Sequence, residues 1–88
     1  MHWVKEASYI DGYKIEIKFG NDEVRNADLK NYLDGGIFEA LKDLSFFKTF
    51  VVNHDIDTIV WPNNADFSPD FLYKIGQAIT ESADTTDD

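Results

Sequence analysis

A histidine and two aspartates fall within four residues at His54-Asp55-Ile56-Asp57. Imidazole and carboxylate groups hold divalent metals and move protons near neutral pH. In an extended segment Asp55 and Asp57 would project alike and His54 to the other side. The same residue types suit a solvated turn, where Asp and Asn bond their own backbone. The turn is the preferred reading. A second grouping is Trp61-Pro62-Asn63-Asn64-Ala65-Asp66. It reads either as the rim of a binding surface, with Trp61 as an aromatic anchor, or as a structural connection. In the connection Trp61 fills the core, Pro62 ends a strand, and Asn63 and Asp66 bond backbone groups. The connection is preferred. The candidate binding residues are therefore Trp61, Asn63, Asp66, His54, Asp55 and Asp57. No catalytic residue, metal-ligand set or cofactor is assigned.

Other chemical templates find no match. There is no cysteine nucleophile, no Gly-x-Ser-x-Gly elbow and no phosphate-cradling glycine loop. Gly35-Gly36 is read as a helix stop rather than an anion seat. His2, near the start, is expected to be solvated. Lys14, Lys18 and Arg25 are expected to share one solvated sheet face.

These residues must be positioned by short elements. Tyr13, Ile15, Ile17 and Phe19 alternate with Lys14, Glu16 and Lys18, the period of a strand with one buried face. Trp3 to Tyr9 is a second extended run, joined through Asp11-Gly12, a strong hairpin signal. A two-residue loop would pair Ile10 with Tyr13 and Glu6 with Ile17. A three-residue loop would pair Tyr9 with Tyr13 and Trp3 with Phe19, and is preferred because it stacks aromatics. Gly20-Asn21-Asp22 turns the chain into a third strand, Glu23 to Ala27, with Val24 expected opposite Phe19.

Asp28 is a candidate N-cap for a helix through Leu33. Ile37, Phe38, Leu41 and Leu44 recur at helical spacing. From Phe47 the pattern turns extended, and Phe50-Val51-Val52 and Thr58 to Trp61 flank a polar loop as a second hairpin. Ser68-Pro69-Asp70 starts a helix: serine caps, proline takes the first position, an acid sits in the first turn. Phe71, Leu72, Ile75, Ala78 and Ile79 form its apolar face. The order β-β-β-α-α-β-β-α predicts an α+β fold, a mostly antiparallel sheet with short helices packed on one face.

The 88 residues allow one domain, expected over 1–79, with an acidic disordered tail over 80–88. Thirteen aromatic residues supply a dense core. No cysteine is present, which fits a reducing compartment. The opening residues show no basic region followed by an apolar run, so no targeting segment is expected and the cytoplasm is the expected location. The net charge is −9; residues 80–88 carry four acids and no base. The remainder holds 13 acids against 8 bases, or −5. Direct binding of nucleic acid or of an anionic membrane is disfavoured, because both need a cationic surface.

The stretch Gly12-Tyr13-x-Ile15-x-Ile17-x-Phe19, then Asp28-Leu29, Phe38 and Leu41, then Thr58 through Pro69 and Leu72-Tyr73, resembles the small bacterial family catalogued as domain of unknown function 2442. The resemblance spans roughly residues 3–76, and Trp61-Pro62-Asn63 running into Asp66, Pro69 and Leu72-Tyr73 is its most specific part. It implies a compact α+β domain of the bacterial cytoplasm. Some family members add a helix-turn-helix domain, and many are encoded beside a second small protein. This chain ends soon after Leu72-Tyr73, so any repressor role is expected to come through a partner. Where the family's turn before the third strand favours glycine, this chain has Asn21 or Asp22. The expectation is a non-catalytic protein-interaction or regulatory module, of the antitoxin-like kind, with a protein partner. Two alternatives stand beside it: a ligand- or metal-binding protein or enzyme using carboxylates near Asp55, Asp57 and Asp66, and a homodimer joined through a sheet edge or aromatic patch.

Overall fold

The computed structural model describes residues 2–78. The expected acidic tail, and Ile79 of the expected last helix, lie outside these residues. The fold is α+β. Three strands, β1 (Val4–Asp11), β2 (Lys14–Phe19) and β3 (Val24–Asp28), form an antiparallel meander. The alternation of β2 is realised as read: Ile15, Ile17 and Phe19 have no exposed surface, while Lys14 and Glu16 are exposed. Two short 3₁₀ turns follow, Lys30–Tyr32 and Gly36–Lys42, then a single-turn helix, α1 (Leu44–Phe47). A two-stranded hairpin comes next, β4 (Val51–Asn53) and β5 (Thr58–Val60). Helix α2 (Pro69–Ile75) leads into β6 (Gln77–Ala78), which pairs with β3 and completes a sheet of order β1-β2-β3-β6. Among the described residues, no helix is long and apolar enough to cross a membrane.

Both expected registers of the first hairpin are overturned. Asp11 pairs with Lys14, Tyr9 with Ile15 and Ala7 with Ile17, with irregularities between Val4 and Glu6 and between Tyr9 and Asp11. The loop is Gly12-Tyr13, with Gly12 at φ 50. Against the preferred register the pairing is displaced by two residues, Tyr9 facing Ile15 and not Tyr13, and a displacement of two keeps the same face inward. Ala7 and Tyr9 therefore share the inner face with Ile15 and Ile17, and Trp3 is left 42% exposed. The expected pairing of Val24 with Phe19 is also replaced: Val24 lies opposite Lys18. The backbone N–H of Phe19 donates to the Glu23 carbonyl at 2.9 Å, closing a three-residue loop. Asp22 takes the left-handed position of that loop, φ 68, where glycine is ordinarily favoured.

The helical part is more broken than its periodicity suggests. Asp28 accepts from the Lys30 N–H at 3.0 Å, as a cap would, but the turn it starts spans only three residues. Leu44 belongs to a new helix capped by Asp43, whose carboxylate accepts from the Ser45 N–H at 3.0 Å. Phe47, expected to begin a strand, is buried in that helix. Ala78, expected on the helix face, is in β6, because α2 ends at Ile75. Ser68, Pro69 and Asp70 start α2 as expected, with the Phe71 N–H donating to the Ser68 hydroxyl at 3.1 Å.

One core joins these pieces. Val4, Ile15, Ile17, Phe19 and Ala27 of the sheet pack with Leu29, Leu33, Leu41, Phe47, Ile59, Trp61 and Leu72. None of the helical segments is long enough to be stable alone, so burial against the sheet is what holds them.

Candidate functional site

The segment from Trp61 to Ser68 is folded back on itself. The Trp61 N–H donates to the Ala65 carbonyl at 2.9 Å, and the Asn64 N–H to the Trp61 carbonyl at 2.8 Å. Asn64 adopts φ 70, a conformation asparagine tolerates better than most residues. Asn63 staples the loop from both ends of its amide. Its Oδ1 accepts from the Ala65 N–H at 3.1 Å, and its Nδ2 donates to the Ile37 carbonyl at 3.0 Å. Trp61 is 1% exposed, and its Nε1 donates to the Phe47 carbonyl at 2.8 Å. Its ring meets Phe47 at 5.6 Å and Phe67 at 5.9 Å. Trp61 and Asn63 are thus positioned as parts of a connection. Asp66 differs: its backbone bridges to Val60, but its side chain is exposed.

Asp66 lines a groove of about 410 Å³ between residues 31–38 and 66–71. The walls are aromatic. Phe67 stacks on Phe38 with centroids 4.9 Å apart and on Phe71 at 5.6 Å, and Tyr32 meets Phe71 edge-on at 5.0 Å. Two carboxylates, Asp34 and Asp66, line it, and no basic side chain does. Asp34 is paired outside with Lys42, Nζ to Oδ1 2.8 Å. Glu39, beside that pair, is held below the ordinary carboxylate range by the Gly35 N–H and by Lys42. Asp66 has no ion pair among the described residues. Gly35 and Gly36, at φ 82 and 57, break the chain between the two 3₁₀ turns. Of the six sequence candidates, Asp66 alone is in the groove. Tyr32, Asp34, Phe38, Phe67 and Phe71 were not singled out. The spacing of Phe67 and Phe71 across the Ser68-Pro69 helix start was the available signal.

His54, Asp55 and Asp57 form the exposed β4–β5 turn. The Asp55 N–H donates to Asn53 Oδ1 at 2.8 Å, and Asp57 sits at φ 59. The Asp57 carbonyl accepts from the Val4 N–H at 2.8 Å, tying the turn to the start of β1. Among the described residues, no group of three or more His, Asp or Glu side chains is placed to hold a metal. Asp66 is thus not gathered with Asp55 and Asp57 into one centre.

A second organised cluster lies where α2 meets the sheet. Arg25 pairs opposite Ile17, which puts it on the inner face and not with Lys14 and Lys18, as expected from the sequence. Its guanidinium covers the Tyr73 ring at 3.7 Å and donates to the Tyr73 carbonyl at 2.9 Å and the Gly76 carbonyl at 3.3 Å. Nε of Arg25 reaches Glu23 at 2.6 Å, and the Tyr73 hydroxyl donates to the same carboxylate at 2.6 Å. Those two donors, Tyr73 first, hold the Glu23 carboxyl below its ordinary range. His2 is not free in solvent: it stacks on Tyr73 at 3.6 Å, and its backbone N–H donates to Asp70 at 3.0 Å. Arg25 and Tyr73 share the Glu23 carboxylate, and Arg25 also bonds the carbonyls at the end of α2, so this cluster ties α2 to the sheet.

Residues 4–78 match the family model described as Protein of unknown function (DUF2442). The chain belongs to this family. The match covers the meander, the Trp61-Pro62-Asn63 connection, α2 and β6, which are the parts that make the groove and the Arg25 cluster. The matched span takes in every strand and helix of the described residues. No curated protein and no solved structure matches the chain.

Proposed function

We propose that this DUF2442 chain is a non-catalytic interaction module that covers a basic protein partner, in the manner of the antidote half of a two-protein system. The observation that carries the reading is the groove: aromatic walls, two carboxylates, no lining cation. Aromatic side chains anchor interfaces because they bury much area at little entropic cost. Carboxylates beside them select positive partners and speed encounter. The surrounding charge, −5 over residues 1–79, has the same sign. The absence of cysteine supports action in a reducing compartment, and the cytoplasm is part of the proposal. A bacterial, regulatory setting belongs to the same proposal and is carried by the family resemblance.

The test is capture with the tagged full chain from the organism that encodes it, followed by titration of each purified captured protein. The proposal expects a small basic protein whose affinity falls as salt is raised, since exposed charge pairs are screened. If the proteins that rebind are acidic or neutral, or bind equally at low and high salt, the proposal is wrong.

A further inference from the structure

The groove has three conceivable occupants. The first is the chain's own end. Residues 79–88 carry four acids and no base, and Asp66, which has no ion pair among the described residues, would repel them. The second is another copy, which brings a net charge of −9 to an acid-lined surface. The third is a partner group that is cationic at its tip and apolar along its stem. Lysine and arginine have that construction. Their stems suit a wall made by Tyr32, Phe38 and Phe71. Asp66, lining the same groove without an ion pair among the described residues, matches the charged tip.

Between the two, arginine fits better. Its guanidinium is planar, weakly hydrated and able to lie against aromatic rings, and it bonds a carboxylate through two parallel N–H groups. An ammonium is compact and holds its water more strongly. The fold already holds one such arrangement: Arg25 lies on the Tyr73 ring while bonding Glu23. We infer that the groove between residues 31–38 and 66–71 is an arginine-receiving slot, in which Asp66 takes the guanidinium of a basic partner and Tyr32 and Phe71 take its stem. This rests on the partner reading above and names the group that the partner inserts.

The experiment titrates three blocked tripeptides into the isotope-labelled full chain and follows amide and ring resonances. The peptides are glycine-X-glycine with X as arginine, lysine or citrulline; citrulline keeps the shape of arginine and lacks its charge. Shifts should be confined to residues 31–38 and 66–71. Arginine should bind tightest and citrulline about two- to fivefold more weakly, the scale of an exposed ion pair. Asp66→Asn should remove most of the advantage of arginine over citrulline. Asp66 is exposed, so this variant leaves the core intact. The partner-free control is Asp55→Asn on the β4–β5 turn, which should change nothing. Equal binding of citrulline and arginine, or shifts spread over Glu16, Asp55 and other acids, overturns the slot. Lysine binding as well as arginine overturns the choice of guanidinium. A slot that fails while a basic partner still binds in a salt-dependent way overturns this inference alone and leaves the partner reading standing.

Discussion

Trp61 carries one polar atom, and that atom caps the Phe47 carbonyl from inside the core. Replacing Trp61 by Phe removes the donor and leaves both a void and an unpaired buried acceptor. Loss of part of a buried ring costs on the order of 2–3 kcal/mol, and an orphaned carbonyl adds about 1 kcal/mol or more. We predict that Trp61→Phe lowers unfolding stability in urea by about 3–4 kcal/mol, with the midpoint shifted and the slope unchanged. At this scale the sequence was legible where the residue type limits the choices. A lone tryptophan before Pro62 reads as core, and an Asn in a tight turn reads as a backbone ligand. The exposed side chain of Asp66 was not legible. Its neighbours in space, Tyr32 and Asp34, are separated from it by more than thirty residues, and only the packing of two short turns brings them together.

Among elements, the joint between α2 and β3 depends on the absence of a side chain at Gly76. A Cβ there would stand 2.8 Å from Arg25 Cβ and 2.9 Å from the Leu72 carbonyl. Gly76 has φ −68, so backbone strain plays no part. The obstacle is contact with backbone and with a side-chain stem that cannot swing away. Gly76→Ala should cost about 1–3 kcal/mol, the range for forcing atoms into a packed joint. Thermal unfolding followed by circular dichroism will measure it; an unchanged midpoint would show that α2 docks less tightly than described. The start of α2 was legible because capping chemistry is local: Ser68-Pro69-Asp70 announces it within three residues. The Asp43 cap of α1 was missed, because Leu44 continues the apolar spacing of Ile37, Phe38 and Leu41. Helix ends and hairpin register were not. The end of α2 is set by the pairing of Gln77 and Ala78 with β3, a contact fifty residues away in the chain. The first register depends on irregularities at both ends of β1, which the alternation of apolar residues does not encode.

The whole molecule is held partly by carboxylates whose charged form the fold favours. Asp22 is kept below its ordinary range by hydrogen bonding to Lys5, Glu23 by Tyr73 and Arg25, and Asp43 by Ser45. A carboxylate with a depressed folded pKa stabilises above its unfolded value and loses that contribution as pH falls through the folded one. For Glu23 the ordinary value is 4.5. The melting temperature of the wild-type chain should therefore exceed that of Glu23→Gln by a few degrees above this pH, and the gap should close below it. A gap that widens on acidification contradicts the sign. Lys5 and Lys42 are raised, Lys5 through Asp22 and Lys42 through Asp34 and Glu39. Their contributions are complete below the ordinary lysine value of 10.5 and are lost as pH rises through the raised one.

At this scale the α+β class was legible, because composition and alternation act over the whole chain, and the family was legible through the resemblance carried by Trp61-Pro62-Asn63 and Leu72-Tyr73. The groove was not, because it is made from the ends of elements. Its role as the docking surface is the central claim. The chain has no cysteine, so single cysteines at chosen sites can carry a photo-crosslinker. Asn31→Cys places it on the groove, at an exposed position with no role in the slot; Glu16→Cys places it on the polar face of β2. Irradiated in extract from the encoding organism, the Asn31→Cys chain should form a covalent adduct with a basic protein, and the Glu16→Cys chain should not. Adducts from Glu16→Cys with Asn31→Cys silent, or none from either, would contradict the account.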